Sequence, residues 1–282
     1  MKSYLPGDFS VLLPIYLKAD PCELQQCLNS LVNQTLVPGE VVVVEDGPIT
    51  DELDNVLVEY STKVNLVRHQ CLEHRGLGPA LQEGLLRCSH PIIARMDSDD
   101  VSVPLRFEQQ MAFLDFNPEI SVVGGTLRET FSSASDQESS VELDRELPVD
   151  PRKLRAFARF RNPLNHPTVM FRRAAILEVG GYQDCPYFED YFLWVRLLLS
   201  QKKLANLPCV VVNTTADDSY FDRRTGRDYQ KSERDFACRL LELKFHTNLE
   251  HIVFRISRAP VRWMSTQFAR KFYGYILRQN QK

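Results

Sequence analysis

The sequence predicts an α/β fold, on three observations. Short, nearly uninterrupted apolar runs recur at residues 9–13, 41–44 and 91–96, as in strands buried on both faces of a parallel sheet. Amphipathic helical stretches separate them at βαβ spacing. The chain of 282 residues is long enough for one domain to bury about three quarters of its unfolded surface without a disulfide or metal staple.

The elements follow in order. The run 9–13 ends at Pro14 and reads as the first strand. Asp20-Pro21 starts a helix, with Asp20 as N-cap and Pro21 at the first helical position. Leu24, Cys27, Leu28 and Leu31 mark its buried face. The second strand, 41–44, ends in Glu45-Asp46-Gly47-Pro48. A helix at 53–60, a strand at 64–67 and a helix at 79–87 come next. The strand at 91–96 runs into Asp97-Ser98-Asp99-Asp100. Pro104 opens a helix closed by Asn117-Pro118. Residues 1–118 thus read as a nucleotide-binding half, where ligands sit beyond the carboxyl ends of the strands. Tyr16, Asp46 and Asp97 fall there.

In the second half a strand is expected at 120–127. The Ser-, Asp- and Glu-rich stretch 131–147 is expected to be a mobile loop. A strand at 168–171, a short helix at 173–179 stopped by Gly180-Gly181, a strong helix at 189–201 and a strand at 207–212 complete the core. A charged loop at 215–231 carries Arg223-Arg224-Thr225-Gly226-Arg227, and a long amphipathic helix spans 228–246. The expected division is one domain at 1–250, made of halves 1–118 and 119–250, and a basic amphipathic tail at 251–282.

Composition excludes several classes. Apolar residues make up 44% and charged residues 25%, which is ordinary globular usage rather than disorder. The net charge of −3 hides an asymmetry, because the tail holds seven of the 34 Lys/Arg and none of the 37 Asp/Glu. An acidic body with a basic end argues against nucleic-acid binding and for one local anionic partner. No apolar run approaches the roughly 18–20 residues of a membrane span, and residues 1–8 lack a signal-peptide core. The seven Cys include no CxxC pair, which fits a reducing cytosol better than a zinc or redox site.

Five constellations carry potential chemistry. Asp97-Ser98-Asp99 offers two hard carboxylates at a strand end, suited to Mg²⁺ or Mn²⁺ bridging a diphosphate. With 37 acids in the chain such a triplet arises by chance about five times, so its weight comes from following a buried strand. Asp46, in Glu45-Asp46-Gly47, can accept from a base N–H or a ribose hydroxyl, or serve a turn. His74-Arg75-Gly76-Leu77-Gly78 lacks the third glycine of a dinucleotide fingerprint, since Leu81 stands there. Arg75 suits a phosphate, and Gly76 permits close backbone approach. Glu189-Asp190 opens a helix, where acids either complement the dipole or supply a well-held general base. His166 is a structural histidine or a contact to a metal or acceptor.

In this order these pieces resemble the family 2 inverting glycosyltransferases with the GT-A fold. The resemblance covers residues 9 to about 230. It is carried by Val11-Leu12-Leu13-Pro14-Ile15-Tyr16, by Ser30 to Thr35 leading to Val43-Val44-Glu45-Asp46-Gly47, by Met96-Asp97-Ser98-Asp99-Asp100 with Pro104, Arg106, Phe107 and Gln110, and by Gly181-Tyr182 before Glu189-Asp190-Tyr191-Phe192-Leu193-Trp194. It implies a mixed central sheet flanked by helices, with a Rossmann-like nucleotide-binding half and a C-terminal helical extension. It further implies that Pro14 and Tyr16 line a nucleobase pocket and that Asp46 bonds the base. Arg75 and Gly76 would lie near the nucleotide, and Asp97 would hold the ribose or the metal side of the donor. Asp99 would hold Mn²⁺ or Mg²⁺, with His166 a further ligand or acceptor contact. Asp190 would be the base, with Glu189 competing, and Arg223 and Arg224 would meet the acceptor or close over the diphosphate.

The implied reaction transfers a hexose from a UDP- or dTDP-linked donor to a hydroxyl of a lipid-linked glycan, by single displacement with inversion, in surface polysaccharide synthesis. Two departures are visible: Glu45 is the first acid before Gly47, and Arg75-Gly76 replaces the family's Asn-x-Gly. In the tail, Val261 to Leu277 can form an apolar stripe flanked by Arg262, Arg270, Lys271 and Arg278. That stripe suits an anionic membrane surface on the cytoplasmic side, or a helix packed on the domain. A nucleotidyltransferase would need a Gly-rich basic loop after the first strand, and Tyr16-Leu17-Lys18-Ala19 is not one. An inactive sugar-nucleotide sensor has no need of Asp97, Asp99 and Asp190 together.

Overall fold

The structure is a computed structural model and describes residues 7–133, 136–216 and 226–258. The sheet begins with β1 (Phe9–Ile15), every residue of which is buried. Helix α1 (Pro21–Val32) follows, and the Asp20 carboxylate caps it by accepting from Cys22 N and Glu23 N, two donors that the first turn leaves free. Strand β2 (Glu40–Glu45), helix α2 (Asp51–Tyr60), strand β3 (Leu66–Gln70) and helix α3 (Leu77–Arg87) complete two crossovers. Strand β4 (Ile92–Arg95) leads into β5 (Asp100–Ser102) and α4 (Arg106–Phe116). β1 pairs in parallel with both β2 and β4, and β2 with β3.

The second half extends the sheet beyond β4. β6 (Ile120–Ser133) and β7 (Asp136–Arg145) pair antiparallel. Helix α5 (Pro151–Phe157), a 3₁₀ turn at His166–Thr168, β8 (Met170–Arg172), α6 (Arg173–Glu178), α7 (Glu189–Leu199) and β9 (Lys203–Ala216) follow. The strand order is β3-β2-β1-β4-β8-β6-β9-β5, with β7 beside β6. Two more helices, α8 (Arg227–Glu242) and α9 (Asn248–Ser257), close the described chain.

Strand alternation builds one core on each face. Phe9, Val11, Leu13 and Ile15 pack with α1, α2 and α4 through Leu28, Leu57 and Phe107. Leu12, Val42 and Val44 face α3 and α7 through Leu81, Leu85 and Leu193. Gly84 lets α3 settle onto the sheet, since a Cβ there would overlap Leu12 and lie 2.5 Å from Val44 Cγ2. Buried residues surround α7 on all sides, as expected of a central helix.

Three expectations are corrected. The stretch 131–147 is largely strand rather than loop. Val141, Leu143 and Arg145 are half-buried while Glu142 and Asp144 are exposed, which is the period-2 pattern of a polar strand. The strand expected at 207–212 is β9, which extends from Lys203 to Ala216. The helix expected at 228–246 ends at Glu242, and a capping box of Thr247 and Glu250 starts α9. Phe254 of α9 is fully buried against Phe236 of α8 and His246, so the chain from His251 to Ser257 is part of a packed helix. The apolar stripe from Val261 to Leu277 lies outside the described residues. All seven cysteines are free thiols, and only Cys22 and Cys238 are exposed.

Candidate active site

The carboxyl ends of β1, β2 and β4 open into a cavity of about 600 Å³ lined by Pro14, Tyr16, Asp46, His74, Asp97 and Asp99, among others. A second cavity of about 550 Å³ shares Leu77, Asp97 and Asp99 with it and continues to His166, Glu189 and Asp190. The expected nucleotide and catalytic-base residues therefore line two adjoining spaces, with the acidic loop after β4 between them.

That loop is rigidly supported. Arg95, at the buried end of β4, forms a two-point ion pair with Asp97. Burial opposes the Arg95 charge, yet Asp97 together with Tyr182 and Asp100 outweighs it and holds the proton on more tightly. Below, the buried Arg106 donates to the Arg95 carbonyl at 2.7 Å and Gln110 donates to the Thr168 carbonyl at 2.7 Å. Cys27 Sγ donates to the Asp97 carbonyl at 3.2 Å. Asp97, Asp99 and Asp100 bring carboxylate oxygens within 4.8 Å of one another. Burial, then the charges of Asp97 and Asp99, push the Asp100 carboxyl well above its usual range. Three crowded hard-oxygen donors fit a divalent cation, which would relieve that repulsion.

At the opening of α7, Asp190 and Glu189 are both buried. Asp190 Oδ2 accepts from Asn162 Nδ2 at 2.6 Å, and its Oδ1 accepts from Tyr191 N at 2.6 Å. Burial raises the Asp190 pKa, and these two bonds restrain the rise. Glu189 is pushed up to about 7 by burial and by the neighbouring Asp190 charge. The pair therefore holds two carboxyls of different proton affinity at one cleft wall, an arrangement suited to acid–base work.

Other expected residues meet the site in other ways or not at all. His166 lies outside the three-carboxylate cluster; its Nε2 is 3.0 Å from the Tyr182 hydroxyl. Burial and then Arg95 push its pKa well down, which favours the neutral ring. Arg75 and Gly76 meet the site through backbone N–H groups that donate to Asp46 at 2.8 Å each. Glu45 accepts from Arg68 Nε at 2.7 Å and braces β2 against β3. Arg223 and Arg224 lie outside the described residues. Sequence reasoning missed Arg95, Asp100, Asn162 and His74 as site residues. Arg95 was signalled by a lone charge in the apolar run 91–96 and Asp100 by its place in the acid run; Asn162 carried no local signal.

Residues 10–180 match the model of glycosyl transferase family 2, and the chain belongs to that family. It is 36% identical over 265 residues to the amylovoran biosynthesis glycosyltransferase AmsE of Erwinia amylovora, spanning 94% of this chain and 97% of that protein. It is 30% identical over 271 residues to the UDP-Gal:alpha-D-GlcNAc-diphosphoundecaprenol beta-1,3-galactosyltransferase of Escherichia coli, spanning 96% and 97%. Among solved structures, S. aureus TarS 1-349 in complex with UDP-GlcNAc matches with a TM-score of 0.60 at 21% identity, over 83% of this chain and 66% of that one. A further structure of S. aureus TarS matches with a TM-score of 0.61 at 20% identity, over 83% of this chain and 40% of that one. The fold is GT-A: a mixed sheet flanked by helices, with the C-terminal helices α8 and α9 added.

Proposed function

We propose that this glycosyltransferase moves a hexose from a nucleoside diphosphate sugar to a hydroxyl of a lipid-linked glycan, with inversion, in surface polysaccharide synthesis. One observation carries the reading: the acidic loop 97–100 and the Glu189–Asp190 pair line one cavity that adjoins a nucleotide-sized space. The undecaprenol-linked acceptor in the name of the E. coli relative supports the choice of acceptor.

The roles follow from chemistry. Pro14 and Tyr16 flank the nucleobase, and Asp46 fixes the 74–76 loop beside it. Asp97, Asp99 and Asp100 would hold Mn²⁺ or Mg²⁺, which when bound offsets the charge growing on the diphosphate. Asp190 takes the acceptor proton, because its oxygens are aimed by Asn162 and Tyr191 N. Glu189, held at about 7, is the competing base. No helix of the described residues is long and apolar enough to cross a membrane. We place the protein on the cytoplasmic face of the membrane, reached through the basic residues after His251.

The test is transfer from a panel of nucleotide sugars with and without Mn²⁺. Asp190→Asn should lower turnover roughly 10²–10⁴-fold and leave UDP affinity unchanged. Unaltered turnover in that variant moves the base to Glu189. No turnover of any nucleotide sugar by the wild-type protein removes the reading.

A further inference from the structure

Helix α9 turns one face to the domain and another to water. Phe254 is fully buried, His251 Nδ1 lies 3.1 Å from the Ala237 carbonyl, and Arg258 lies 3.5 Å from Glu233. These three positions share one face at helical spacing. Leu249, Ile252, Val253 and Ile256 recur at i, i+3, i+4 and i+7 on the opposite face. All four are exposed, Leu249 to 69% and Ile256 to 65%. A helix on a folded domain normally turns such a stripe toward the core, but here Phe254 takes the inward place. Large aliphatic side chains grouped on one exposed face mark a contact surface, whereas scattered ones do not.

Charge selects the occupant. From His251 to Lys282 the sequence holds seven Lys/Arg and no Asp/Glu. A second copy docked on this face would set like charge against like charge. An aliphatic stripe on a basic segment is the combination that an anionic bilayer takes: the side chains enter the acyl boundary while the cations meet lipid phosphates. The place of α9 in the fold agrees. Arg258 lines the cavity that holds Glu189 and Asp190. Ile256 stands two residues before it, about 3 Å along the helix axis. The stripe and the cavity wall therefore meet at one end of one helix.

We propose that α9 is a membrane-docking helix, which seats Leu249, Ile252, Val253 and Ile256 in an anionic lipid surface and brings the cavity of Glu189 and Asp190 to the lipid headgroups. The proposal rests on the lipid-linked acceptor reading above. It differs from attachment by basic residues alone, because it assigns the contact to apolar side chains of the folded domain.

The experiment is co-sedimentation of the full chain with vesicles of phosphatidylglycerol and phosphatidylethanolamine, and with vesicles of phosphatidylcholine alone. Wild-type protein should prefer the anionic vesicles, and added salt should weaken binding without abolishing it. Ile252→Ser combined with Ile256→Ser keeps every charge. It should lower the partition coefficient roughly tenfold or more, since two large aliphatic side chains leave the bilayer. Ile252→Leu combined with Ile256→Leu should bind as wild type does. Both positions are exposed, and an unchanged melting temperature checks that each variant is folded. Equal binding by the Ser pair and wild type overturns the proposal, because the basic residues then suffice. A dimer seen by light scattering without lipid, and lost in the Ser pair, overturns it too. Failure to bind anionic vesicles, in a protein that turns over a nucleotide sugar, overturns the docking and leaves the transferase reading standing. Stripe-dependent binding by a protein that turns over none supports the docking and removes the transferase reading.

Discussion

Deleting the Asn162 amide tests how the proposed base is held. Asn162 Nδ2 donates to Asp190 Oδ2 at 2.6 Å, across 28 residues of sequence. A hydrogen bond to a charged group contributes about 1.5–3 kcal/mol. If that is lost wholly from the oriented carboxylate, transfer slows roughly 10- to 150-fold. The sign of the pH effect follows as well. Burial raises the Asp190 pKa, and Asn162 is the first group that restrains it. In Asn162→Ala burial is less opposed, so Asp190 titrates at a higher pH. A general base works in its ionised form, and the acid limb of kcat against pH should therefore move to higher pH while the plateau falls. Steady-state transfer over the acid-to-neutral range measures this, with UDP affinity as a control for the donor site. A profile superimposed on that of wild type, with unchanged kcat, would refute the assignment of Asn162 as the group that sets the ionisation of Asp190.

Other outcomes are as definite. Gly84→Ala places a Cβ against Leu12 and 2.5 Å from Val44 Cγ2; chemical denaturation should show a loss of about 1–3 kcal/mol from overpacking. Folded Glu189 keeps its proton up to about 7, against 4.5 for the free side chain. The folded state thus binds more protons between those values, and stability falls as pH rises through that window, by up to about 3 kcal/mol. Glu189→Gln, which cannot ionise, should gain on wild type in urea unfolding as pH rises from 4.5 to 7; a constant difference would contradict the origin given for the shift. Asp99→Ala should abolish the Mn²⁺ dependence of UDP binding while leaving the melting temperature near that of wild type, because Asp99 is exposed.

Some of this was legible because a local pattern and the global fold agreed. The apolar runs of β1, β2 and β4 are short and bounded by turn residues, as buried strands are, and the Asp20-Pro21 cap starts α1 where its chemistry requires. Glu189 and Asp190 open α7 as expected. Strand β7 hid because its side chains are polar; the signal was the alternation at Val141, Leu143 and Arg145, not composition. The break between α8 and α9 was written in Thr247 and Glu250, a capping pair set within an otherwise continuous helical pattern. Asn162 against Asp190, and His74 against Asp46, are side-chain pairs made by chain segments that only folding brings together. No window of sequence contains both members, so propensity and spacing carry no trace of them.

The distribution of thiols makes the protein easy to instrument. Burial pushes the Cys27 thiol well up, and pushes Cys88 and Cys185 up to about 12, so these groups stay protonated and shielded from alkylation. Cys22 and Cys238 alone are exposed. Cys22 sits between Asp20 and Glu23, both of which line the nucleotide cavity. With the half-buried Cys71 and Cys209 and the exposed Cys238 replaced by Ser, a maleimide dye should label Cys22 alone and place a fluorophore at the edge of the proposed nucleotide cavity. Nucleotide occupancy could then be followed optically, before any acceptor has been found.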